Sequence, residues 1–259
     1  MIETRPLPAR RSGVRFWWTS YLAMLRWEIT RMRTLLPITA LVQVFTGAGA
    51  VLGFGLLIGD LEERQALFLS TGAVVITLVT IGIVIGPQLI AQQRLAGQFD
   101  YLASLPVPKS TTASAWTTVN VLVAVPGAGA ALLVAVIRYS VSFDVSMLLI
   151  PAAALTLAAG ALIGYAYAVS IPHPRLVSLI SQVLIFFIFG FSPIAFPPEN
   201  LPGWLQTVHR YLPFEAMADV MRAGLADGLV ANATRSFVVL SAWTLAAMAL
   251  TGAVLRRRA

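Results

Sequence analysis

The 259-residue chain is 58% hydrophobic and 11% charged, with a mean hydropathy of +0.82, whereas a soluble domain carries roughly 25% charged residues. This composition excludes a soluble globular domain and predicts an all-α integral membrane protein, because apolar windows of about twenty residues match a hydrocarbon core of about 30 Å. Cysteine is absent, which excludes a disulfide framework, a thiol nucleophile and a Cys-based metal site.

The N-terminal stretch is arginine-rich and holds no short apolar run ending at a small-residue cleavage site, so no cleavable signal peptide is expected. Within it, VRFWWTSYLAMLRWEITRM, Val14 to Met32, is too charged to cross a membrane and too apolar for a free tail. At 100° per residue Val14, Trp18, Tyr21, Leu22, Leu25, Ile29 and Met32 share one face, beside a polar stripe of Arg15, Thr19, Arg26, Thr30 and Arg33. An amphipathic elbow helix along the cytoplasmic membrane surface is predicted, with Trp17, Trp18 and Trp27 at headgroup level. The pattern fits a stop-transfer anchor that binds only anionic lipid, and it fits an elbow that also touches a cytoplasmic partner.

Residues 1–34 thus form a tail and elbow, and residues 35–259 a six-span transmembrane domain. The spans are expected at Leu35 to Ile58, Ala66 to Ala91, Ala113 to Ile137, Val145 to Ile171, Leu176 to Ala195 and Ser236 to Leu255. With both termini in the cytoplasm, the inside segments hold thirteen basic and three acidic residues (Glu3, Glu28, Asp100). The outside segments hold five arginines (Arg64, Arg138, Arg210, Arg222, Arg235) and eight acids. That distribution follows the positive-inside rule, so topology accounts for the basic balance and no nucleic acid is implied.

Between spans two and three, residues 92–112 form the one substantial cytoplasmic loop. Leu95, Phe99, Leu102 and Leu105 give it a short helical pattern that Pro106 and Pro108 stop. Such a helix suits insertion into a groove on another protein; a loop resting on the interface is the plainer alternative. Inside the spans, Gly49/Gly53, Gly82/Gly86 and Gly160/Gly164 are G-x-x-x-G pairs, suited first to packing within the chain and second to a dimer seam. Pro87, Pro126 and Pro151 mark kinks or hinges. His173 and His209 fall on opposite sides of the membrane and cannot share a metal. No ionisable residue is expected at the middle of a span, where a proton- or ion-coupled carrier needs one. The polar residues left there (Gln43, Thr77, Thr80, Gln88, Thr118, Asn120, Ser178, Ser181, Gln182) suit hydrogen bonds between helices or the wall of a cavity.

The fifth span breaks at FSPIAFPPENLPGWLQ, Phe191 to Gln206, and opens residues 193–235, an external segment with too much apolar surface for a hydrophilic loop. Two short helices are expected in it, one starting at Glu199-Asn200-Leu201-Pro202 and one over Glu215 to Leu225, separated at Leu212-Pro213. Broken backbone near a membrane is tolerated only where protein or water covers it, so a packed bundle is implied around them.

The order of elbow helix, six spans, loop between spans two and three and P-x-E-x-L-P-x-W-L-type hairpin resembles the permease subunits of type 2 ABC exporters, over nearly the whole chain. Phe191 to Leu225 is the most specific part; its Pro213-Phe214-Glu215 turn departs from the family's usual N-P-[LF]-[TS]-[YH]. The resemblance implies a re-entrant hairpin at the outer end of a transport route, with Gln182, Ser192, Pro193, Phe196, Pro197, Glu199, Leu201, Pro202 and Trp204 in the pathway or hairpin. It also implies that Trp27, Glu28, Arg94, Phe99, Asp100, Leu102, Leu105 and Pro106 contact a separate ATPase subunit, and that a second permease half, identical or homologous, completes the transporter.

The chain has no G-x-x-x-x-G-K-[ST] loop, so it is expected to need no cofactor of its own, with ATP and Mg on the partner subunit. Neither a nucleophile with its base nor a metal cluster is expected at membrane depth, which argues against an intramembrane enzyme. Uncharged spans suit a hydrophobic or amphiphilic cargo exported across the plasma (inner) membrane, such as a drug, an antibiotic or a lipid-linked molecule. The alternatives are a gradient-driven secondary transporter and a non-transporting membrane scaffold.

Overall fold

The structure, a computed structural model, describes residues 13–59, 61–230 and 232–257. The leader expectation and the arginines at 5, 10, 11 and 258 fall outside the described residues. Every regular element among the described residues is helical: α1 (Val14–Met32), α2 (Leu36–Ile58), α3 (Glu63–Val79), a π-helical stretch (Thr80–Ile85), α4 (Gly86–Leu95), α5 (Gln98–Ser104), α6 (Lys109–Tyr139), α7 (Leu149–Ser170), α8 (Pro174–Phe191), a 3₁₀ turn (Pro198–Asn200), α9 (Gly203–His209), α10 (Pro213–Leu225) and α11 (Ala233–Arg257).

Six helical stretches are long and apolar enough to cross a membrane, in the order expected. The second span, α3 through α4, is the axis of the bundle. Its most apolar window is 89% buried, against 39% or less for each of the others. It is apolar around its whole circumference, as a helix enclosed by other helices must be. The other spans keep an apolar face outward, such as Ile38, Leu41 and Leu56 on α2 or Val183 and Phe186 on α8, which suits contact with lipid.

Close backbone approach holds the centre together. A Cβ on Gly164 of α7 would lie 2.0 Å from the Gly82 carbonyl oxygen, and one on Gly82 would lie 2.7 Å from the Gly160 carbonyl carbon. Only glycine fits such a crossing, so these residues are used inside the chain. Gly49 and Gly53 differ, because a Cβ on either would meet nothing within 4 Å. Buried polar groups also tie helices together. Gln43 Nε2 donates to the Thr77 carbonyl at 2.9 Å, and the Tyr21 and Thr118 hydroxyls are 2.9 Å apart.

Three span boundaries differ from expectation by four residues, about one helical turn. The second span runs on to Leu95, the fourth starts at Leu149 rather than Val145, and the fifth ends at Phe191 rather than Ala195. In the fifth, Ser192 is already extended (φ −91°, ψ 136°) and the following Pro193 has no N–H to continue the ladder. Beyond it the first of the two expected short helices begins at Gly203, later than Glu199, because residues 198–200 close a 3₁₀ turn. The second begins at Pro213, whose fixed φ suits the first turn of a helix.

Candidate functional site

At the end of the bundle that carries α1, the elbow, α5 and the start of α6 form one packed unit. The α1 side chains turned inward are Ser20, Met24, Glu28 and Met32, one every fourth residue, while Val14, Trp18, Leu22 and Ile29 remain exposed. The face the sequence singles out is therefore divided: its Met32 end packs inward and its exposed members form an apolar outer stripe. Met24, Leu102 and Ala115 form a small core, with Tyr21, Trp27, Leu105 and Val107 packed on it. Leu102 and Leu105 thus secure α5 to the elbow from within. Phe99 and Asp100 lie in the first turn of α5, and their side chains lie outside the described set; Tyr101 and Pro106 face outward.

Charge completes this unit. Glu28 is 2% exposed, and its Oε2 accepts from Arg31 Nη2 at 2.7 Å. The Arg31 guanidinium lies 5.1 Å from the Trp27 ring centroid and donates to Gln98 Oε1 of α5 at 3.4 Å. With its amide oxygen turned toward this cation, Gln93 of α4 accepts at 2.7 and 3.0 Å. Arg31 therefore joins α1 to both α4 and α5. The amphipathic pattern of the elbow did not single it out; its signal was the i, i+3 spacing from a lone acid on an apolar helix. Arg94 works elsewhere, donating to the carbonyls of Ala168 (2.6 Å), Ile171 (2.8 Å) and Pro172 (2.9 Å) and so capping the end of α7.

At the opposite end, the expected pathway residues separate. Ser192 and Pro193 are buried, Phe196, Pro197 and Leu201 are half-buried, and Gln182, Glu199, Pro202 and Trp204 are exposed. The residues that converge there lie on α10, which the sequence predicts as the second short helix of the broken segment. Phe214, Met217, Val220, Met221 and Leu225 are buried against α3, α7 and α11. A Cβ on Gly224 would lie 2.6 Å from Leu149 Cα, and the Gly224 carbonyl accepts the Ser146 N–H at 3.0 Å.

With its apolar face turned inward, α10 carries Arg222 into the protein, where it is 1% exposed. The guanidinium stacks 3.4 Å from the Phe68 ring centroid, donates to the Ile194 carbonyl and reaches Asp219 Oδ1 at 3.4 Å. It thereby caps the broken chain that follows α8. Asp219 Oδ2 accepts from Ser236 Oγ at 2.8 Å, and Glu215 Oε1 lies 3.7 Å from Arg235, fastening α10 to the start of α11. Burial draws Arg222 down to about 10, still protonated, with Asp219 opposing the fall. Burial also pushes the carboxyls of Glu215 and Asp219 above their usual range. His209 at the end of α9 is buried with its ring stacked 5.4 Å from Phe187, and burial lowers its pKa.

Among the described residues no group of three or more His, Cys, Asp or Glu side chains is placed to hold a metal ion. What the two ends share is mechanical: an arginine-centred joint between short helices and the spans. Compared with known proteins, residues 19–226 match the model of the ABC-2 type transporter family. No curated protein matches the chain. The family match covers most of the 259 residues, including the greater part of the elbow, the α5 loop and α10, and the chain belongs to the ABC-2 type transporter family.

Proposed function

We propose that this membrane subunit is the permease half of an ATP-driven exporter in the plasma (inner) membrane. Both termini are cytoplasmic, and the cargo is hydrophobic or amphiphilic, such as a drug, an antibiotic or a lipid-linked molecule. A groove of about 410 Å³ along α2 carries the reading. It is lined by Phe45, Thr46, Gly49, Ala50, Gly53, Phe54, Leu57 and, from α8, Phe189. Not one charge lines it, so an apolar cargo could move along it without shedding a tightly held hydration shell, whereas a charged solute could not.

Gly49 and Gly53 leave this wall open to a second permease half, identical or homologous, whose approach would turn the groove into a channel. The energy comes from a separate ATPase subunit, which holds ATP and Mg and docks on the unit built by α1 and α5. At the other end, α9 and α10 form the re-entrant hairpin that closes the route, with Arg222 holding it to the break after α8. The ionisable residues buried at that end lie on α9 and α10, outside the six spans, which favours ATP over an ion gradient as the driving force.

The test is gentle purification of the tagged chain from its native membrane, with identification of bound proteins and an ATPase assay. Co-purification of a P-loop ATPase with vanadate-sensitive activity is expected. Recovery of the chain alone from several mild detergents, without ATPase activity, would favour a gradient-driven transporter or a scaffold instead.

A further inference from the structure

The second span interrupts its own hydrogen-bond ladder. Over Thr80–Ile85 it widens to π-helical geometry, and the Gly86 N–H reaches the Ile81 carbonyl five residues back. The next residue is Pro87, which has no N–H to return to the Ile83 carbonyl four residues earlier. Both Ile83 and Pro87 are buried, so water is not at hand as a substitute donor.

A side chain of the fourth span supplies the donor. Tyr167 Oη lies 2.5 Å from the Ile83 carbonyl oxygen and 2.7 Å from Ser181 Oγ on α8. Ser181 Oγ is also 3.0 Å from the Val177 carbonyl. Each hydroxyl has one proton, so the chain has two complete arrangements. In one, Tyr167 donates to Ile83 and Ser181 donates to Tyr167. In the other, Tyr167 donates to Ser181, Ser181 donates to Val177, and the Ile83 carbonyl is released. The backbone crossing at Gly82 and Gly164 lies beside the break, where a Cβ on Gly164 would be 2.9 Å from Pro87 Cγ. The three helices therefore meet at one point. π-Helical turns within α-helices are rare and concentrate at functional sites.

We propose that Thr80 to Pro87 is the bending point of the second span and that Tyr167 is its positioning residue. In the first arrangement its hydroxyl closes the break; in the second it frees the span to bend against α7 and α8.

The test is hydrogen–deuterium exchange of the full-length chain in lipid nanodiscs, read over the backbone amides of residues 84–86 and 88–90. It needs neither cargo nor ATPase, so its outcome bears on the bending point and leaves the transport reading to its own experiment. Tyr167→Phe is expected to speed exchange about tenfold, the effect of losing one buried hydrogen bond. Pro87→Ala restores an N–H to the Ile83 carbonyl, so the double variant should return to within about threefold of wild type. Ser181→Ala favours the first arrangement and should leave exchange unchanged or slower.

Wild-type exchange in Tyr167→Phe, failure of Pro87→Ala to rescue it, or acceleration by Ser181→Ala as large as that of Tyr167→Phe would each overturn the proposal. If Tyr167→Phe does not yield folded protein, Pro87→Ala alone decides. Slower exchange supports the bending point, and unchanged exchange overturns it.

Discussion

The Arg222 guanidinium lies 3.4 Å from the centre of the Phe68 ring, joining α10 to the first half of the second span. A cation this deeply enclosed persists because the ring, the Ile194 carbonyl and Asp219 together replace its water. Removing it leaves that carbonyl and carboxylate behind without it. Arg222→Ala is expected to cost about 3 kcal/mol, the lower end for breaking a buried pair, because Asp219 keeps Ser236. Thermal unfolding in detergent, compared with Asp219→Asn, measures it. An Arg222→Ala protein as stable as wild type would show that the stack contributes nothing.

Two titrations act in opposite senses at this end. Glu215 has its carboxyl pKa raised above 4.5, chiefly by burial and next by Asp219, so the native state binds its proton more tightly than the unfolded chain does. Stability from Glu215 is therefore present at low pH and lost as pH rises from about 4.5 through the raised value. Glu215→Gln should flatten that part of the stability–pH curve and leave the protein at least as stable at pH 7. A curve unchanged by Glu215→Gln would remove this carboxyl from the account.

His209 works the other way. Burial lowers its pKa below 6.5, so the unfolded chain takes up the proton first and stability is lost as pH falls from 6.5 toward the lowered value. His209→Phe, which keeps a ring against Phe187, should abolish that loss. Equal acid sensitivity in both proteins would refute it.

Glycines at different places should give opposite results. Gly164→Ala forces a methyl into the Gly82 carbonyl and is expected to cost about 3 kcal/mol or to prevent recovery of folded protein. Gly49→Ala and Gly53→Ala meet nothing within 4 Å and should leave the stability of the chain unchanged. Under the proposed function these two should weaken assembly with the second permease half, read as a shift toward half-size particles by mass photometry.

At the α1 end, structural residues are separable from the docking residues that the proposed function places there. Leu102→Ala empties a site between Met24 and Ala115 and should lower stability by about 2 kcal/mol. Tyr101→Asp, at a side chain 62% exposed, should leave stability unchanged and lower recovery of the ATPase by about tenfold. The Phe99→Asp, Leu105→Asp double variant should abolish that recovery without affecting insertion; because Leu105 also packs on the elbow, Tyr101→Asp is the cleaner test. Full ATPase recovery with Tyr101→Asp would move the docking surface elsewhere.

Sequence by itself determined that the chain is an all-α membrane protein with six spans in a definite order, because twenty-residue apolar windows and turn-forming prolines act locally. It also located the elbow, the loop helix and the broken segment after the fifth span. Tertiary structure alone decided which span is central, since all six are apolar enough to cross and only packing distinguishes the side chains that meet protein from those that meet lipid. It decided equally that Leu102 faces the elbow while Tyr101 faces out, a difference of one residue on a two-turn helix. Arg222 looked like one more loop arginine because the ring and carbonyl that enclose it lie 154 and 28 positions away in the chain, and no local pattern brings them together. The π-helical stretch was hidden for the same reason: Pro87 announces a missing donor, but the hydroxyl that replaces it comes from Tyr167, two spans later.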